Sequence, residues 1–186
     1  AVDEMYTPFG EMNWTDAVHR IRKFAGRDGA IIATLSGDAN VHFFRERARQ
    51  GLDADILPVM GLSLGEAEMP ALHERNLVGH MVAWNYLQTM ETPENRAFID
   101  EWRAFTGDDK AITNDPMEAS WIGFNLWVQA VQAAGTTEPE AVRKALAGRS
   151  IRAPSGFDVR LDPENQHLHK PSVICRLDAK HVIWPV

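Results

Sequence analysis

Residues 29–40 read GAIIATLSGDAN. The run Gly29–Leu35 is nearly continuously apolar, as in a strand of a parallel sheet covered on both faces. It ends at Ser36-Gly37, a turn signal, and Asp38 then opens a helical pattern through Arg49, closed by Gly51. Working outward, residues 2–7 read as a short strand and residues 14–25 as a helix with Trp14, Val18, Ile21 and Phe24 on one face, capped by Asn13 or Thr15 and followed by Gly26. A third strand is expected at 56–60, a short helix at 65–72 and a strand at 77–83. Strand and helix alternate, so the fold class is α/β with a parallel sheet.

Beyond Trp84 the grammar changes. Thr92-Pro93 and Asp115-Pro116 both start helices, with Pro in the first turn. The first runs to about Phe105; the second runs to Ala134 and ends at Gly135. A third helix covers residues 138–147 before Gly148. Within the second, Trp121, Phe124, Trp127 and Val128 are expected to form the core face. Residues 157–161, 172–177 and 181–184 read as β. Three helices with hardly a strand between them need a sheet or further helices to cover.

The chain has 186 residues, net charge −7 and scattered basic residues. No basic stripe tracks a phosphate backbone, so nucleic acid is not an expected partner. No apolar run reaches the ~18 residues of a membrane span. Cys175 is the only cysteine, which excludes an internal disulfide and a Cys-based zinc site and fits a small buried hydrophobe. No phosphate-binding Gly-rich loop and no G-x-S-x-G elbow occurs. His167 and His169 with Asp162 and Glu164 have a metal-like look, but D-P-E-N is turn chemistry and a structural role is favoured. No cofactor is expected. The chain opens Ala-Val-Asp without Met, and a removed preceding segment is expected.

Three segments carry a family resemblance: TPENRAFIDEW at 92–102, NDPMEASW at 114–121 and APSGFDVRLDPENQHLHKP at 153–171. In this order and spacing they resemble the C-terminal part of the urea and short-chain amide binding proteins of ABC transporters. These are type I periplasmic binding proteins related to the branched-chain amino acid receptors. The likeness reaches back to about Asp3. Such receptors have two lobes and about twice this length, so the resemblance implies the C-terminal half of one. It implies that residues 1–86 belong to lobe two, that 87–154 return to lobe one, and that 155–186 return to lobe two. Periplasmic location, ABC permease subunits as partners, and an association with a missing N-terminal half or a second copy follow in the same way. Cytoplasmic amide sensors share the pattern and are the alternative; branched-chain amino acid receptors are another, and an α/β amide hydrolase is the least favoured.

A small polar solute (urea, an amide or an amino acid) would meet residues at the carboxyl ends of the strands. Ser36, Gly37, Asp38 and Asn40 form the first loop, where Asp38 and Asn40 are otherwise helix caps. Leu62 and Ser63 form the second. Related amino-acid binders carry a carboxylate near it, so its absence fits a neutral solute, although Glu66 is close. Trp84, Asn85 and Tyr86 offer aromatic walls and hydrogen-bonding groups, or a packed hinge. Asp115 is the fourth candidate, its motif also explained by helix initiation.

Overall fold

The computed structural model describes residues 2–26, 28–72, 77–180 and 182–185. In chain order the elements are α1 (Thr15–Ala25), β1 (Ile31–Ala33), α2 (Asp38–Arg49), β2 (Val59–Gly61), β3 (Met81–Trp84), α3 (Pro93–Thr106), α4 (Asp115–Ala134), α5 (Pro139–Leu146), β4 (Ser150–Arg152), β5 (Asp158–Leu161), β6 (Leu168–His169), β7 (Val173–Leu177) and β8 (Ile183–Pro185). The chain divides into two compact units. One comprises the residues to Trp84 together with those from Val173, and the other is Asn85–Ser172.

The first unit is built on a five-stranded sheet of order β1-β2-β3-β7-β8. β1, β2 and β3 run parallel, with Ile31 opposite Val59 and Met60 opposite Met81. β7 joins antiparallel to β3, placing Trp84 opposite Val173 and Val82 opposite Cys175. The mixed α/β reading holds. Its interior is aromatic: Trp14, just before α1, meets Phe43 of α2 at 5.2 Å, and Phe44 meets the His80 ring at 5.3 Å, both edge to face. Arg47 is 1% exposed within this cluster. Its guanidinium donates to the Leu57 carbonyl, its Nη1 lies 2.9 Å from His80 Nε2, and it lies 5.7 Å from the Phe43 ring centroid.

The second unit pairs three helices with an antiparallel sheet of order β4-β5-β6. Ile122 and Leu126 of α4 are buried with Ala153 and Val159, and Leu146 and Ile151 close the cluster. The helix starts were legible. Thr92 Oγ1 accepts from Asn95 N at 3.1 Å, and Asn114 Oδ1 accepts from Met117 N at 3.1 Å. Gly107 and Gly135 close α3 and α4 in the left-handed conformation.

Several expectations are corrected. Residues 2–7 form no strand, and residues 65–72 supply only a 3₁₀ turn at Met69–Ala71. Gly79, at φ 84, turns the chain before β3, which therefore begins at Met81 rather than Leu77. Ile32 is 75% exposed, because β1 is an edge of the sheet and one face there is bare. The β-rich tail expected to leave the helical region near Ser155 does so at Val173: β5 pairs with β4 and β6 and stays with the helices. Phe124 and Trp127 are exposed, since the buried side of α4 is Glu118, Ile122, Leu126 and Ala130. His181, the expected start of the last strand, lies outside the described residues.

His80 sets a pH dependence. Both ring nitrogens face donors, Arg47 Nη1 and, at 3.2 Å, Val59 N. A neutral ring accepts from one of them and a protonated ring from neither. Burial, then the Arg47 charge, pushes its pKa down to about 3 from 6.5. The folded state therefore favours neutral His80, a contribution fully present above pH 6.5 and lost as pH falls towards 3. The loss is about 2 kcal/mol by pH 5. Urea unfolding at pH 7.5 and pH 5 measures it, and His80→Gln is expected to flatten this slope while lowering stability at pH 7.5.

Candidate functional site

The parallel order of β1, β2 and β3 brings three candidate loops to one end of the first unit's sheet. Gly37, at φ 59, makes the reversal that lets α2 start directly after β1. Asn40 is 1% exposed, and its amide donates to Leu35 O at 2.7 Å and Ser63 O at 3.0 Å. Ser63 Oγ donates to the same Leu35 carbonyl. Asn40 is thus a tie between the first and second loops rather than a helix cap, and Ser63 completes the tie. Two further contacts shape the edge. Leu62 N donates to Ala33 O at 2.8 Å. A side chain at Gly65 would come within 2.1 Å of the Trp84 ring, so Gly65 is the floor on which that indole rests.

The groups left facing outward are Ser36, Gly37, Asp38 and the 39% exposed Leu62, with Trp84 part-buried beside Gly65. This edge offers a hydroxyl, a carboxylate, the backbone N–H groups of Asp38 and Ala39 at the start of α2 and an aromatic wall. Glu66 is only 8% exposed and reaches Cys175 electrostatically. Burial, then Glu66, pushes the Cys175 thiol up to about 11, so it stays protonated.

The remaining candidates belong to the second unit. Tyr86 is fully buried; its hydroxyl donates to Asn95 Oδ1 at 2.6 Å and hydrogen-bonds Thr113 Oγ1 at 2.7 Å. Asn95 in turn donates to Gln88 O and Met90 O. Tyr86 is therefore an anchor of the segment after β3. Asn85 donates its amide to Pro171 O at 2.7 Å, joining the outgoing and returning stretches of chain. Asp115 opens α4, its Oδ1 3.7 Å from Lys170 Nζ, and burial, opposed by Lys170, raises its pKa.

Sequence reasoning gave no role to Glu118 and Lys170. Glu118 is fully buried, accepting from Ser155 N at 2.7 Å through Oε1 and from Lys170 Nζ at 2.7 Å through Oε2. The signal was available in two of the quoted motifs, each of which holds one partner, but their pairing across 52 residues is not a local pattern. His169 Nε2 lies 2.9 Å from Asp162 Oδ2, whose other oxygen accepts from Glu164 N and Asn165 N, so D-P-E-N is a turn closed by His169. Among the described residues no cluster of His, Cys, Asp or Glu is arranged for a metal ion, and no helix is long and apolar enough to cross a membrane. A cavity of about 380 Å³ lined by Ala48, Leu52, Asp53, Val78 and Gly79 lies at the amino end of β2 and β3, away from the candidate edge.

The sequence matches the family described as periplasmic binding protein domain over residues 1–183. The chain belongs to that family. It is a family of binding proteins rather than enzymes. The Leu/Ile/Val-binding protein homolog 6 of Brucella melitensis biotype 1 is 25% identical over 170 residues, covering 90% of this chain and 43% of that protein. The same fold occurs in a solute binding protein of an ABC transporter from Rhodopseudomonas palustris HaA2, solved with p-hydroxybenzoic acid (TM-score 0.83, 20% identity, 96% of this chain and 48% of that one). It also occurs in the leucine-, isoleucine-, valine-, threonine- and alanine-binding protein of Brucella ovis (TM-score 0.78, 13% identity, 97% and 47%). The chain spans about half the length of the relatives it matches.

The buried ion pair gives a prediction for this periplasmic binding protein chain. Lys170→Met leaves Glu118 charged and uncompensated, and is expected to destabilise the second unit by about 3 kcal/mol or more in urea unfolding. Lys170→Met with Glu118→Gln is expected to recover part of that loss, because the neutral amide still accepts from Ser155 N.

Proposed function

We propose that this chain is the C-terminal part of the solute-binding component of an ABC importer, working in the periplasm, and that its solute is urea or a short-chain amide. The two units correspond to parts of two lobes that close on the solute, and the closed form engages the permease subunits. The observation that carries the solute class is the outward set at the carboxyl end of the sheet. The Asp38 carboxylate and Ser36 hydroxyl accept from amide N–H groups, the Asp38 and Ala39 N–H groups at the start of α2 donate to a carbonyl, and Trp84 walls the site. Asp38 opposes an anionic solute placed against it.

A second reading has support of its own. The Brucella relatives are named for branched-chain amino acids. Leu62 is exposed at the same edge, and Asp38 suits an ammonium group. Export separates an importer component from a cytoplasmic amide sensor of the same fold.

Calorimetric titration of the native polypeptide that contains this sequence with urea, acetamide, leucine and 4-hydroxybenzoate tests the reading. Heat with urea or acetamide is expected, weakened about tenfold or more by Asp38→Asn. Leucine binding alone moves the solute class to amino acids; binding of 4-hydroxybenzoate alone overturns both readings.

A further inference from the structure

Gly65 is buried, and it is not among the glycines with a positive φ, so the position does not call for glycine's conformational freedom. What it calls for is the missing side chain. A Cβ there would lie 2.1 Å from Trp84 Cζ3 and 2.9 Å from Cη2, so the indole fills the place where any other residue would put its first carbon. The turn that follows is tied on itself. Glu68 N donates to Gly65 O at 3.3 Å, and Glu68 Oε2 accepts from Gly65 N at 3.0 Å. Leu64 and Met69, both buried, hold the two ends of this turn in the core of the first unit. Burial raises the Glu68 pKa, the Gly65 and Glu68 N–H groups oppose the rise, and the Asp38 charge adds to it, so the turn belongs to the same edge as Asp38.

A pocket wall tells one small solute from another only if it stays in place. One methylene more or less in a well-fitted pocket is worth about 10–200-fold in discrimination, and a wall that yields forfeits it. We propose that the Gly65–Glu68 turn is the specificity device of the candidate edge. Gly65 seats the Trp84 indole against bare backbone. Glu68, by holding Gly65 N, is a positioning residue that keeps this seat fixed, so that the indole does not swing aside for a solute longer than a short-chain amide. Glu68 acts through its acceptor oxygen on the turn and not as a ligand of the solute. The selectivity rests on the amide reading of this edge; the seating of Trp84 does not.

The test uses the native polypeptide that contains this sequence, with its tryptophan indoles labelled for NMR and the Trp84 resonance assigned by Trp84→Phe. Gly65→Ala and Glu68→Ala are each expected to shift that resonance, while Glu68→Gln, whose amide oxygen still accepts from Gly65 N, leaves it in place. Far-ultraviolet circular dichroism checks that each variant folds. Calorimetry with acetamide and butyramide reads the consequence. The preference for acetamide is expected to fall about tenfold or more in Gly65→Ala, Glu68→Ala and Trp84→Ala, and to stay within about threefold of the parent in Glu68→Gln. A Trp84 resonance unmoved by Gly65→Ala and Glu68→Ala overturns the inference. So does a moved resonance with the preference intact, or a Glu68→Gln variant that behaves as Glu68→Ala. Heat with neither amide overturns the amide reading and takes the selectivity with it, whereas amide heat with an unmoved resonance overturns this inference alone.

Discussion

The antiparallel pairing of β7 with β3 is the constraint on which the rest of the architecture depends. It sets Val173 opposite Trp84, so the chain leaves the first unit and re-enters it at adjacent points of one sheet. Everything from Asn85 to Ser172 is thereby an insertion between two neighbouring strands. Asn85 reinforces the arrangement one residue further out by donating to Pro171 O. Next to it on the outgoing stretch Tyr86 is locked by Asn95 and Thr113, and next to Pro171 on the returning stretch Lys170 is locked by Glu118. Each stretch is thus fixed to the second unit by buried polar groups whose partners are costly to remove.

The same economy is visible at the carboxyl end of the sheet. Asn40 spends both amide hydrogens on two backbone carbonyls from different loops, and Ser63 shares one of them. The loops are preorganised by these ties, which leaves Ser36 and Asp38 free to face outward. A site that discriminates among small polar solutes needs such fixed donors and acceptors, since a tiny ligand supplies few contacts with which to reorder a loop.

Much of this was legible in the sequence where the signal is local. The Thr92 cap, the Asp115-Pro116 helix start, the closing glycines, and the strand-then-turn pattern at residues 29–40 all fold as their chemistry dictates. Long-range pairing was not legible. The hairpin strands β4, β5 and β6 look like any short alternating runs, and only their register assigns them to the second unit rather than to the tail. The face of α4 was misread for a related reason. Its bulkiest residues, Phe124 and Trp127, advertise a core, while the smaller Ile122, Leu126 and Ala130 form the one present in this chain. At the candidate edge, Asn40 resembled a cap because its partner carbonyls belong to residues 35 and 63, one of them far away in sequence.

Amide hydrogen exchange resolved by strand tests the central claim that the second unit is inserted between paired strands of a single sheet. The account predicts that the amides of Val173–Leu177 and Met81–Trp84 exchange together, in the slowest class and in step with Val59–Gly61. Exchange of Val173–Leu177 in step with the strands of the second unit, or well ahead of Met81–Trp84, would contradict it.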